Sequence, residues 1–282
     1  MKKNFTVIEA NRPWWDLEFK DFFKYKDLLY LLIRRDFVTS YKQTILGPFW
    51  IVLQALLGSA AFTVIFSKVA NLSTDGHPAF LFYLSGILGW QYFANVYGIG
   101  CHALQSNLNL FSKVYFPRLI PPVGQAIFAI FNFFIQLLVF LGALLIYNLN
   151  VSAKVAFPGF ELFWLLFLIL QTIMLGLGLG FIISALSVKY RDLSRVAGMA
   201  TQFFMYASPI IYPVSKIPEK YQEFLAINPM TFVVESYRHI LLGHSTACKL
   251  EFAVPSILMT IILFVIGLTS YNKVQRLYVD YV

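Results

Sequence analysis

Six stretches of the chain run 20 residues or more without a Lys, Arg, Asp or Glu: 47–67, 79–112, 119–153, 162–188, 196–215 and 252–272. A hydrocarbon core about 30 Å thick needs about 20 apolar residues per crossing helix, so each stretch is long enough to span a bilayer. Backbone amides cannot stay unpaired in lipid, and continuous apolar runs lack the alternation of barrel strands. The expected fold is therefore an all-α integral membrane protein with six transmembrane helices. A 59% hydrophobic, 13% charged composition agrees, because a soluble chain of 282 residues could not hide that much apolar surface.

The amino terminus has two lysines but no apolar core of the length a cleaved secretory signal needs. With that end inside, residues 1–44, 101–120, 189–195 and 272–282 lie in the cytoplasm and hold 9, 2, 3 and 2 Lys and Arg, against 6 elsewhere. The asymmetry follows the positive-inside rule and places both termini in the cytoplasm. The net charge of +8 then reflects topology and anionic inner-leaflet lipid rather than nucleic acid. One transmembrane domain is expected over 1–282. It comprises a cytoplasmic segment 1–44, spans one to five within 45–212, outer short helices in 213–250, a sixth span 251–272 and a tail 273–282.

Between these spans, local signals mark shorter elements. Leu29, Ile33, Phe37 and Tyr41 recur every four residues, which predicts an N-terminal amphipathic helix over 28–42 lying along the inner membrane surface. Gly47-Pro48 ends it and opens the first span. Pro209 and Pro213 interrupt the apolar run after span five, and two short helices are expected over 218–227 and 230–242, separated by Asn228-Pro229 and closed by Gly243. The second, about 20 Å long, is too short to cross. Gly176, Gly180 and Ser184 in span four predict a close packing face, whereas Gly176-x-Gly178 has no preceding strand to make it a nucleotide loop.

Catalytic chemistry finds no constellation. None of the 16 glycines is followed by lysine, so the phosphate-cradling ATP loop is absent and ATP-driven work requires another polypeptide. Cys101 and Cys248 are expected on opposite sides of the membrane, reading as small apolar residues. Glu235 with His239 is half a metal site at most. Glu161 and Glu251 fall at outer span ends and Glu235 in the outer helices, which disfavours an ion-coupled carrier.

The order of these parts, and particularly Arg34-Arg-Asp-Phe-Val-Thr-Ser-Tyr-Lys-Gln-Thr-Ile-Leu-Gly-Pro-Phe-Trp50, resembles the permease subunit of ABC transporters that export O-antigen, capsule or teichoic acid. The resemblance extends to 107–118, Lys189-Tyr-Arg-Asp192, Ser208-Pro-Ile-Ile-Tyr-Pro213 and Asn228-Pro-Met230 with Glu235 and Arg238. It implies a plasma-membrane homodimer joined to two copies of a cytoplasmic ATPase that bind ATP and Mg, no cofactor being held by this chain. It implies a polymer on a polyprenyl diphosphate as cargo. The loop with Asn107, Phe111, Lys113, Tyr115, Pro117 and Arg118 would receive the ATPase. The helices carrying Pro218, Pro229, Glu235 and Arg238 would gate the exit.

Physical chemistry fits that cargo to further residues. Arg34, Arg35 and Lys42, with Lys113 and Arg118, would attract the diphosphate at the inner mouth through charge-assisted hydrogen bonds. Sugar faces bury area against aromatic rings, and the candidate rings are Trp50, Phe62 and Phe66 in span one and Phe203, Phe204 and Tyr206 in span five. Two other classes remain open: a small-molecule efflux permease of the same architecture, and a membrane enzyme of lipid-linked sugars, for which no acid cluster, metal motif or nucleophile is present.

Overall fold

Most of the charge-free sequence is helical in the computed structural model, which describes residues 24–42, 47–106, 116–151, 155, 157–243 and 250–277. Among the described residues there are nine α-helices and no strand. They are α1 (Lys26–Lys42), α2 (Gly47–Phe62), α3 (Ala79–Cys101), α4 (Ile120–Asn150), α5 (Trp164–Ser187), α6 (Leu193–Ala207), α7 (Glu219–Ile227), α8 (Pro229–Leu242) and α9 (Leu250–Leu277). The last seven residues of the first apolar stretch, Thr63–Val69, widen into a π-helix, and a 3-10 turn, Phe160–Phe163, leads into α5.

Among the described residues, four helical segments are long and apolar enough to cross a membrane: Gly47–Val69, Ile120–Asn150, Phe160–Ser187 and Glu251–Gln275. α3 is also free of charge over its 23 residues, but it carries Ser85, Gln91, Asn95, three tyrosines and four glycines. α6 differs from the expected 196–215 span. It ends at Ala207, because Pro209 follows and Ser208 is already extended at ψ 149°, leaving 15 residues, or about 22 Å.

α3 is the centre of the molecule, with α2, α4, α5, α6 and α8 packed around it. Its glycines set the approach distances. A Cβ on Gly180 of α5 would fall 2.6 Å from the Cα of Gly100, and one on Gly176 would fall 2.9 Å from Val96. Ser184 continues this face, its Oγ accepting from the Leu104 amide at 3.3 Å. The small-residue face expected from the sequence thus meets α3. Gly178 points the other way, where a Cβ would lie 2.7 Å from the Cα of Phe264, and Gly267 abuts Gly178. α5 is therefore gripped on two sides, a backbone-close arrangement that gains dispersion energy where lipid offers no hydrophobic drive.

Buried amides are paired across helices. Gln136 Nε2 of α4 donates to Gln91 Oε1 of α3 at 2.6 Å, and Gln171 Nε2 of α5 donates to Ser256 Oγ of α9 at 2.8 Å. Ser256 in turn donates to the Pro229 carbonyl at 2.8 Å, fastening the first turn of α8 to α9. Each bond satisfies a group whose isolation in an apolar interior would be costly.

Candidate functional site

α1 places the basic residues of the first cluster. Its four-residue periodicity lands on α4: Leu29 and Ile33 cover Gly124, Phe37 packs at 5.7 Å from Phe131, and Tyr41 donates to Asn132 at 2.8 Å. These contacts advance in the same direction along both helices, so α1 leans along the first turns of α4. The opposite face presents Arg34, Arg35 and Lys42, all exposed. Arg35 forms an ion pair with Asp36 at 2.7 Å. The structure thus brings three cations to one open surface beside the start of α2.

Asn107, Phe111, Lys113 and Tyr115 lie outside the described residues. Pro117 and Arg118 follow them and enter α4. Arg118 Nη1 donates to the Gln275 carbonyl, and its own carbonyl accepts from Tyr271 at 3.0 Å. The loop exit is thereby clamped to the last turns of α9. Arg118 serves a structural bond here, to the backbone of α9.

The aromatic candidates divide into two groups. Phe62 and Phe66 pack edge-on at 5.3 Å and both reach Tyr83 of α3, at 6.1 and 6.4 Å. Trp50, Phe203, Phe204 and Tyr206 face outward, with Phe203 75% exposed. Behind α6, between it and α3, lies a cavity of about 330 Å³ bounded by Trp90, Tyr97, His102, Thr201 and Gln202.

The short helices form a locked corner. Asn228 starts α8 as expected from its sequence, its Oδ1 accepting from the Met230 amide at 3.0 Å. Its Nδ2 donates to Ser208 at 3.1 Å, joining the end of α6 to the start of α8. Pro218 precedes α7, Pro229 fills the first turn of α8, and Gly243 ends α8 at φ +90°. Ser215 donates to Asp75 at 2.6 Å, tying this corner to the loop after the π-helix.

Arg238 and Glu235 stand at the heart of this corner, 2% exposed each. Arg238 Nη1 donates to Glu235 at 2.6 Å, Nη2 donates to the Ile210 carbonyl at 2.6 Å, and the guanidinium lies 3.7 Å from the Phe82 ring centre. Gly86 makes the space, since a Cβ there would approach Nη2 at 3.0 Å. Burial pulls the guanidinium pKa below its ordinary value, and the Glu235 carboxylate pushes it back. One side chain therefore joins α8, α3 and the 208–213 turn. Sequence reading selected Glu235 and Arg238 but missed Phe82, Gly86, Ile210 and the pairs Asn228–Ser208 and Asp75–Ser215. Ser208 and Asn228 both stood in quoted motifs, yet nothing in one dimension shows that they touch.

No three His, Cys, Asp or Glu side chains converge among the described residues. What the chain offers is a helix-bounded, largely apolar body with a basic face on α1 and an ion-paired corner. Residues 27–242 match the model of the ABC-2 type transporter family.

The chain belongs to the ABC-2 type transporter family.

It is a transport subunit of that family rather than an enzyme. An O-antigen export system permease protein RfbA of Klebsiella pneumoniae is 27% identical over 252 residues, covering 88% of this chain and 92% of the relative. The Myxococcus xanthus RfbA permease is 26% identical over 227 residues, 80% and 84% of the two chains. A polysialic acid transport protein KpsM of Escherichia coli is 24% identical over 246 residues, 86% and 91%.

Proposed function

We propose that this chain is the membrane-spanning subunit of an ABC transporter that exports a polyprenyl-diphosphate-linked polysaccharide across the plasma membrane, driven by a separate ATPase. The observation that carries this reading is the similarity over nearly the whole chain to permeases named for O-antigen and polysialic acid transport. The physical layout supports it. α1 presents Arg34, Arg35 and Lys42 on an open face, where a diphosphate gains charge-assisted bonds.

Six crossings, with both termini inside, remain the topology we favour, because the Lys and Arg distribution supports it. α3 would cross within the shelter of its neighbours, and α6 would cross together with the 208–213 turn. Two copies would form the path, each contributing the outward rings Trp50, Phe203, Phe204 and Tyr206 for sugar faces to slide along. The loop before α4 would receive the ATPase, and its clamp on α9 would pass force into the membrane body. ATP-driven closure must favour one permease state by a few kcal/mol to shift the population. The α7–α8 corner, held by Arg238, Asn228 and Ser215, would act as the outer gate.

Depleting the protein and quantifying polyprenyl-linked polymer inside the cell and at its surface tests the reading. Internal accumulation with surface loss is expected. An unchanged surface would overturn it and leave small-molecule efflux, and loss of both pools would place the step in synthesis.

A further inference from the structure

Between the start of α5 and one face of α8 lies a cavity of about 300 Å³ lined by Glu161, Trp164, Phe167, Phe232, Ser236 and His239, among others. Two unpartnered polar groups stand in its largely apolar wall. Ser236 is 4% exposed and its Oγ has no hydrogen-bond partner, and neither does the buried Nδ1 of His239, three residues along the same helix face. Glu161 stands at the mouth, exposed, and among the described residues its carboxylate has no cation beside it. Among the described residues no Lys or Arg lines the cavity, and the Arg238 head is turned to Glu235 and Ile210.

The surroundings fix where the mouth opens. Phe160, Phe163 and Trp164 are 89%, 65% and 62% exposed around it, which is the aromatic girdle of a span entering the headgroup layer. Below them Leu166 and Leu170 are exposed on α5, an i,i+4 stripe that an acyl chain can follow.

We propose that this cavity holds the headgroup of a phospholipid bearing a primary ammonium, of the ethanolamine type. The carboxylate of Glu161 pairs with the ammonium, the aromatic faces of Trp164 and Phe167 attract it, and Ser236 and His239 accept its N–H bonds. A phosphate-only or anionic headgroup meets an unneutralised carboxylate and is disfavoured. The ammonium end therefore points inward and the phosphate stays at the headgroup level. A lipid seated there wedges α5 against α8, the helix that carries Arg238. The proposal requires only that α5 lies in a bilayer, so it stands or falls separately from the exported cargo.

The test is native mass spectrometry of the full chain, purified in mild detergent and offered an equal mixture of phosphatidylethanolamine, phosphatidylcholine and phosphatidylglycerol. The wild type is expected to retain phosphatidylethanolamine about ten-fold over the other two, the worth of one good charge-assisted contact. Glu161→Gln is expected to lose that preference at an unchanged melting temperature, and Ser236→Leu to lose it by filling the floor. Should the Leu variant fail to fold, the exposed Glu161→Gln decides alone. Equal retention of phosphatidylglycerol or phosphatidylcholine by the wild type, or an undiminished preference in Glu161→Gln, would overturn the proposal.

Discussion

Arg238 shows how one side chain can hold a membrane protein's corner together. Its partners are all buried, so removing one of them strands the other's charge, at a cost of about 3–5 kcal/mol for a broken buried pair. Arg238→Met is therefore expected to lower the melting temperature of the detergent-solubilised protein sharply, and Glu235→Leu/Arg238→Met to recover much of it. A single variant melting with the wild type would refute that burial. Arg34 and Arg35 predict the opposite separation. They are exposed, and the Arg35–Asp36 pair at 2.7 Å is a surface pair worth about 0–1 kcal/mol. Reversing both charges to Glu should leave melting unchanged while abolishing polymer export, and normal export would remove them from the entrance. At this scale the sequence was partly legible. The spaced pair it read was Glu235 with His239, and it picked out Glu235 and Arg238 through the family resemblance. Their burial was hidden because hydropathy averages a charge over its window and cannot see that Phe82, Gly86 and Ile210 enclose it.

Helices and their boundaries were the most readable level. The Leu29, Ile33, Phe37 and Tyr41 stripe faces α4, Asn228-Pro229 starts α8, Gly243 ends it, and Gly176, Gly180 and Ser184 meet α3. Each rests on a local rule of spacing or backbone freedom. The π-helix at Thr63–Val69 had no such signal, since its residues differ in no obvious way from those of an ordinary span. The α6 boundary was misjudged because an apolar count runs through prolines that the backbone does not. Two predictions belong here. Gly180→Leu should wedge α3 from α5, costing about 1–3 kcal/mol as overpacking does, whereas Gly142→Ala, with open space around it, should hold or gain stability; comparative melting of the two decides it. Asn228→Ala should lose about 1 kcal/mol through its missing cap and also free Ser208. Export should then fall further than stability does, a split readable by scoring surface polymer against folded protein.

For the molecule as a whole, the membrane body was legible and its assembly was not. The spans bury very unequal shares of themselves inside one chain, 11% for Gly47–Val69 against 56% for Phe160–Ser187, so α2 is left largely to lipid or to a second copy. In the dimeric reading, Phe203→Cys, on a background with Cys101 and Cys248 replaced by Ala, should form oxidant-dependent dimers in membranes. Leu138→Cys, on the outward side of α4 and 68% exposed, should not; equal cross-linking at both would argue against a face through α6. A single sequence names neither face, because lipid and a partner copy reward the same apolar side chains. The enclosed position of α3 bears on how the protein is made. Part of its glycine-rich surface is matched by α5, whose Gly176 and Gly180 leave the ribosome some 80 residues after the α3 residues they touch. Nascent α3 is thus made well before that partner, and release into lipid ahead of α4, α5 and α8 would leave Gln91, Gly86, Gly89 and Gly100 without the residues that cover them. On this geometry α3 is expected to stay incompletely packed until the later helices have been made.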